Sequence, residues 1–294
     1  MKIGCVLVLF NPDISLLKSS IDRLYNQVDL IFLSDNSSKE FDISIIEEYG
    51  GKCLYQKMNG NIGIAAAQNY GIKYFIDQSY DYVIFMDQDS IAPENLLGCL
   101  LHDLEYLKKL NVKVGGIGPR PVNRQTEKDY RGIFKKGHPF SDNITEVVSL
   151  ISSATLVPIE CFKDVGLLES QLFIDGVDHE WCWRGRDLKG LRFFISEKAK
   201  LSHQLGEGDK NLLGVNIAIS TPFRSFYQYR NYFILVRRKY VPFYWKFMNG
   251  VKYLIKYFYY PLCVSPRFEH FKGINKGIYS GVFFREQNKK RDII

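Results

Sequence analysis

Asp87 and Asp89 are the residues of this chain whose spacing points most directly to chemistry. They close the run Tyr82-Val-Ile-Phe-Met-Asp87-Gln88-Asp89, two carboxylates at i and i+2 that an extended backbone turns to the same side. Like charges that close repel unless a cation lies between them. A hard divalent ion, Mg2+ or Mn2+, accepts such oxygens, keeps several waters and takes phosphate oxygens as further ligands. The plainer alternative is that Ser90-Ile-Ala-Pro93 opens a helix and Asp89 only caps it.

A second cluster is Phe173-Ile-Asp175-Gly-Val-Asp178-His179-Glu180-Trp181-Cys-Trp183-Arg184. If a helix starts at Val177, Asp178 sits in its first turn, where the helix dipole favours a carboxylate. A carboxylate there can take a proton from a hydroxyl within hydrogen-bond reach; Asp175 and Glu180 are the other candidates for that role. Capping plus a Glu180–Arg184 pair one turn apart would explain the cluster without chemistry. Asp35-Asn36-Ser37-Ser38 follows another apolar run. Asp35 could accept a hydrogen bond from a pyrimidine imide N–H, although Asp, Asn and Ser are also ordinary turn residues. In Asn59-Gly-Asn61-Ile-Gly63-Ile-Ala65-Ala-Ala67-Gln-Asn69-Tyr-Gly71, small residues would let phosphate approach a helix N-terminus. Close helix packing through Ala65–Ala67 accounts for part of that pattern, whereas Asn61 and Asn69 are harder to dismiss. The segment is neither a P-loop nor a GxGxxG fingerprint. His203, ahead of Gly206-Glu-Gly208, is structural unless a cation needs a third ligand.

These side chains need a scaffold, and the first 120 residues supply its pattern. Ile3–Phe10, Leu30–Ser34, Lys52–Gln56, Tyr82–Met86 and Val112–Ile117 read as buried strands, and Ile14–Gln27, Ile43–Tyr49, Ile64–Asp77 and Pro93–Leu110 as helices between them. Near-continuous apolar strands separated by helices predict an α/β fold with a mostly parallel sheet. Ligands in such sheets bind beyond the carboxyl ends of the strands, where Asn11, Asp35 and Asp87 fall. Residues 118–146 read as a long loop, Glu146–Val157 as a strand, Ile159–Val165 and Val177–Leu188 as helices, and Leu191–Ile195 and Ala199–His203 as two short strands.

With 46% hydrophobic residues over 294 positions, the chain can bury a core without disulfides or a structural metal. Its six cysteines are scattered and form no CxxC pair, which argues against a zinc site or a secreted disulfide framework. The N-terminus is too short in apolar residues for a signal peptide, and a cytoplasmic location is expected. The net charge of +7 is uneven: residues 224–294 hold 15 Lys/Arg against 3 Asp/Glu. Residues 223–264 are basic and aromatic, with no charge-free stretch near the roughly 20 residues of a spanning helix. That composition predicts helices lying at a membrane interface, or packed on the domain with their cations exposed. The acidic remainder and the lack of a nucleic-acid motif exclude nucleic acid as partner. Homo-oligomers are left open.

Taken in order, Val8-Leu-Phe-Asn11, Ser34-Asp35-Asn36-Ser37, Asn59-Gly-Asn61-Ile-Gly63, Met86-Asp87-Gln88-Asp89, Phe173-Ile-Asp175-Gly-Val-Asp178-His-Glu180-Trp181 and His203 resemble the inverting family 2 glycosyltransferases of the GT-A fold, in particular the bacterial rhamnosyltransferases. The resemblance covers about residues 3–210. It implies a GT-A domain over 1–210; the helical region over 211–294 that follows is expected, from its basic aromatic composition, to be peripheral at the inner face of the cell membrane. The resemblance further implies a nucleotide-sugar donor bound by Asn11, Asp35, Asn36, Asn61, Gly63, Asn69 and Gln88. Asp87, Asp89 and His203 would serve the divalent cation, and Asp178 would be the base. Ser153, Asp175, Glu180 and Trp181 would lie on the acceptor side. Gln88-Asp89-Ser90 and the Asp-x-Glu-Trp helix imply dTDP-L-rhamnose as donor, for a saccharide or lipid-linked acceptor in cell-surface polysaccharide synthesis. Many relatives carry an acidic pair just before the base, where this chain has Gly176-Val177. Processive relatives carry Gln-x-x-Arg-Trp, where this chain has Gln228-Tyr-Arg-Asn231, so transfer of a single sugar is implied. A UDP-hexose donor, or a catalytically silent nucleotide-sugar-binding subunit, is the alternative.

Overall fold

The computed structural model describes residues 1–40, 42–123, 137–203, 209–212 and 215–286, with backbone alone at 123, 202–203, 209–212 and 215–218. Its first half follows the expected alternation: β1 (Ile3–Leu9), α1 (Ile14–Tyr25), β2 (Leu30–Asp35), a single turn α2 (Ser44–Glu47), β3 (Cys53–Lys57), α3 (Ile64–Asp77), β4 (Tyr82–Asp87) and α4 (Leu96–Lys109). The strand period of two explains why these runs are apolar throughout. Cys5, Leu7 and Leu9 of β1 meet Leu17, Ile21 and Leu24 of α1 on one face of the sheet. Val6 meets Ile72 and Phe75 of α3 on the other.

One nine-stranded sheet runs in the order β3-β2-β1-β4-β8-β5-β9-β7-β6. The first four strands are parallel. Beyond β4 the sheet becomes mixed, where sequence alone predicts a mostly parallel one. β5 (Val114–Asn123) is longer than expected, and a hairpin of β6 (His138–Ser141) and β7 (Ile144–Val147) occupies part of the predicted loop. The expected strand over 146–157 is instead β7 and β8 (Leu156–Pro158), separated by a turn. Conversely, the two short strands expected over 191–203 form one strand, β9 (Arg192–His203), with a register break opposite Pro119 and Arg120. Glu197 marks that break; its carboxylate pairs with Arg120 and Thr145, a partnership that alternation of polar and apolar residues does not announce.

Helices α5 (Ile159–Val165) and α6 (Val177–Lys189) cover the α3 face, and a small hairpin, β10 (Asp209–Leu212) with β11 (Val215–Ala218), precedes three helices. These are α7 (Pro222–Leu235), α8 (Phe243–Cys263) and α9 (Arg267–Val282). α9 lies so close on α7 that a Cβ at Gly273, Gly277 or Gly281 would come within 2.4–2.8 Å of the carbonyl oxygens of Pro222, Phe226 and Arg230. Glycine every four residues puts the three on one face and lets the backbones meet. All six cysteines are free thiols.

Candidate active site

β1 lies between β2 and β4, so the winding of the parallel strands reverses there and a crevice opens beyond their carboxyl ends. The polar residues at those ends first hold one another. Asn11 adopts a left-handed φ of 45° and donates its N–H to Ser37 Oγ at 2.7 Å. The Gln88 amide clasps Phe10 from both sides, accepting its N–H at 2.7 Å and donating to its carbonyl at 3.3 Å. Gln88 therefore ties β4 to β1. Asp35 is fully buried and accepts from Ser37 N–H at 2.8 Å, Tyr55 OH at 2.6 Å and Lys57 Nζ at 2.7 Å. Burial opposes its ionisation, but those donors, Lys57 foremost, outweigh it and hold the carboxyl below its ordinary range.

Asn36 donates to Gly63 O at 3.1 Å, and Asn61 Oδ1 accepts Gly63 N–H at 3.0 Å, so both shape the turn into α3. Two expectations for this segment need correction. The first two amides of α3, at Ile64 and Ala65, donate to Phe173 O at 2.8 and 3.4 Å, which removes donors a phosphate would use. Gly63, at φ 85°, is demanded by the Phe173 ring, 2.6 Å from where a Cβ would stand. Asn69 is likewise a latch: its amide accepts Leu168 N–H and donates to Leu168 O and Ser170 Oγ, all within 3.0 Å. With both ends of that amide engaged, Asn69 is held in place by the segment before α6.

The two carboxylates of greatest interest are brought together by β8. It runs antiparallel beside β4, with Phe85 N–H on Thr155 O at 3.1 Å and Ala154 N–H on Phe85 O at 2.7 Å. The turn Ser152–Ser153 therefore lies over the end of β4. Gly176, left-handed at φ 86°, turns the chain into α6. Asp178, in the first turn, accepts Ser152 N–H at 3.2 Å and His179 N–H at 2.8 Å. Asp87, Ser152, Ser153 and Asp178 line one cavity of about 670 Å³. Ser153 Oγ is buried there without a hydrogen-bond partner among the described residues.

Asp89 is exposed and caps nothing, because α4 begins only at Leu96, after Asn95. The bland reading of Asp89 falls with that. Two hard oxygen donors, one of them opening on a cavity, suit a divalent cation that keeps water and phosphate oxygens as its other ligands. Among the described residues no group of three His, Cys, Asp or Glu is disposed around a metal, and the side chain of His203 lies outside them.

Two acceptor-side expectations are revised. Glu180 is fully buried and pairs with Arg184 (2.9 Å) and Arg238 (3.1 Å), with Tyr240 OH at 2.6 Å. Burial opposes its charge, but the two guanidiniums outweigh it and hold the carboxyl below its usual range. Trp181 packs on Phe162 and Phe193 and donates to Gly166 O at 2.8 Å, inside the core. Asp175 does line the cavity, but Arg224 grips it with contacts of 2.8–3.0 Å.

Composition alone missed the contribution of the C-terminal helices. Asn231 of α7 donates to the carbonyls of Leu172, Ile174 and Asp175 at 2.6–2.9 Å, fixing the approach to α6. Arg224 and Gln228 of α7, with Asn249, Lys252 and Tyr253 of α8, form a wall of the same cavity. Only part of the basic charge read as a surface patch is drawn into the fold: Arg238 pairs with Glu180 and Glu169, Lys256 is 3% exposed, and Arg224 grips Asp175 while its side chain stays half exposed, whereas Arg237, Lys239, Arg267, Lys272, Lys276 and Arg285 are exposed.

Comparison with known proteins accords with this arrangement. The family model described as "Glycosyl transferase family 2" matches residues 5–155. A curated relative, dTDP-rhamnosyl transferase RfbF of Shigella flexneri, is 32% identical over 257 residues, covering 82% of each chain. Among solved structures, GalNAc-T7 with UDP, GalNAc and Mn2+ superposes with a TM-score of 0.59 at 15% identity, over 94% of this chain and 55% of that one. S. aureus TarS does so with a TM-score of 0.53 at 12% identity, over 81% and 40%. The chain thus spans about half or less of those two structures, and the likeness to them concerns the fold.

Proposed function

The chain belongs to glycosyl transferase family 2 and has the GT-A fold, and from that premise we propose that it moves a single L-rhamnosyl residue from dTDP-L-rhamnose to a saccharide hydroxyl, with inversion. The observation that carries this reading is the shared cavity of Asp87 and Asp178, bridged by Ser152–Ser153. The dTDP-rhamnosyl transferase activity that names the Shigella relative supports the choice of donor.

Asp178 takes the proton of the acceptor hydroxyl as it attacks the anomeric carbon from the face opposite the leaving group. Its two backbone hydrogen bonds, from Ser152 and His179, orient the carboxylate and leave lone pairs for that proton. Asp87 and Asp89 would hold Mg2+ or Mn2+. When bound, that ion offsets charge developing on the departing nucleoside diphosphate. Asp35, kept ionised by Lys57, receives the imide N–H of the base. Residues 1–210 form the catalytic domain, and 211–294 add the helical region that completes the acceptor wall.

Thermal unfolding with a panel of nucleotide-sugars tests the donor and the metal together. A ligand at a hundred times its Kd adds about 2.7 kcal/mol to stability. dTDP-L-rhamnose with Mn2+ should raise the midpoint by several degrees, and EDTA or Asp89→Ala should abolish most of the rise. A larger shift with a UDP-hexose would replace the donor assignment. Donor binding with neither transfer nor hydrolysis would describe a silent binding subunit.

The acceptor is a saccharide on a lipid carrier, reached at the inner face of the cell membrane. No helix of the described residues is long and apolar enough to cross a bilayer. α8 instead turns Phe243, Phe247, Leu254, Phe258 and Leu262 outward along one face, each at least 60% exposed. An apolar helix face of this kind suits the headgroup boundary, and exposed cations elsewhere in the region, among them Lys239, Arg267, Lys272 and Lys276, suit anionic lipid. Because α7 braces the active-site loop, outward substitutions are a cleaner probe than truncation. Phe247→Glu with Phe258→Glu should reduce flotation with phosphatidylglycerol liposomes at least fivefold, at an unchanged melting temperature. Equal flotation would sink the membrane claim.

A further inference from the structure

Beside the catalytic cavity lies a second one of about 340 Å³, to which His179, Trp245, Asn249 and Lys252 are common walls. Trp183 and Tyr244 line only the second. Its aromatic frame is ordered: Trp183 meets Trp245 edge-on with centroids 5.0 Å apart, and His179 stacks on Trp183 at 5.7 Å and 18°. Polar groups are few. His179 is bridged to Ser149 at 2.9 Å, and Asn249 donates to Trp245 O at 3.0 Å, which leaves its Oδ1 as an acceptor. The indole N–H of Trp183, a residue 3% exposed, has no hydrogen-bond partner among the described residues.

A pyranose ring matches this lining. Its C–H faces lie on aromatic surfaces, and a hydroxyl can donate to the Asn249 amide oxygen. The volume falls within the range of small-ligand pockets, roughly 300–1,000 Å³. An alkyl chain would fill the same space but leave the Asn249 oxygen unpaired.

We propose that this cavity is a second sugar subsite, holding the residue next to the one that receives the transferred sugar, so that the acceptor is at least a disaccharide. The inference rests on the transfer reading above and adds the acceptor's size to it. His179 directly follows Asp178 and belongs to both cavities. A glycan whose reacting hydroxyl lies at Asp178 therefore has its neighbouring ring directed past His179 onto Trp245 and Tyr244.

Saturation-transfer NMR on the full chain with Mn2+ and dTDP tests this. The probes are methyl mono- and disaccharides of glucose, galactose, N-acetylglucosamine and rhamnose, with octyl monosaccharides alongside. At least one disaccharide should bind tenfold or more tightly than either component, with saturation on both rings. Tyr244→Ala and Trp245→Ala should each reduce that preference at least fivefold. Tyr244 is 54% exposed, so its removal spares the fold, and melting curves check the Trp245 variant. The subsite is overturned if no disaccharide outbinds its components, if octyl monosaccharides gain as much, or if the preference survives both substitutions. Loss of the dTDP-L-rhamnose thermal shift with the disaccharide preference intact would count against the transfer reading alone.

Discussion

Asp178→Asn should lower kcat by about 10²–10⁴-fold, the span that general bases contribute, while dTDP-L-rhamnose still binds. The amide has the size of the carboxylate but cannot accept a proton from the acceptor hydroxyl. It can still accept one of the two backbone N–H bonds now received from Ser152 and His179, so the start of α6 should hold its course. Donor affinity should change little, because the diphosphate end of the cavity is assigned to Asp87 and Asp89. Transfer measured by product chromatography, with donor titration by calorimetry, separates the two effects. A variant that keeps a tenth of its turnover would remove Asp178 from the mechanism. Asp175, already held by Arg224, would then be the acid to examine. Glu180 is disqualified by its burial between two arginines.

The largest effect on stability is expected from Glu180→Ala. It would leave Arg184 and Arg238 in the interior without their common counter-ion, and breaking a buried pair in this way costs about 3–5 kcal/mol. For a chain of this length that lowers the melting midpoint by on the order of 10 °C. The pH dependence has a definite sign. The folded-state pKa of Glu180 is depressed, so its stabilisation is complete above the unfolded value near 4.5 and is lost as pH falls through the lower folded value. The difference in melting temperature between the two proteins should therefore narrow as pH falls from 7 through 4.5 and below. A gap that does not narrow would mean that packing around residue 180, rather than its charge, is what the substitution removes.

What the sequence could determine was what local spacing encodes. Apolar runs alternating with helical periods specified β1 to β4 and the helices between them, because strand and helix periods are properties of a few neighbouring residues. The same locality put Asp35 and Asp87 at strand ends, where a parallel sheet exposes its ligand edge. Only the tertiary structure decided between acids that are near in sequence. Asp178 and Glu180 are two residues apart, about 200° around a helix. Which of them meets the cavity and which meets Arg238, 58 residues on, depends on the face that packs. The surroundings of Asn69 and Trp181 are set the same way: their partners, Leu168 and Phe193, come from distant elements. The C-terminal helices show the limit most clearly. Their composition described a basic aromatic surface, yet folding draws Arg238 and Lys256 inward, engages Arg224 on Asp175, and leaves the apolar stripe of α8 outside. Composition records how many charges a segment carries, whereas long-range contacts decide which of them reach solvent.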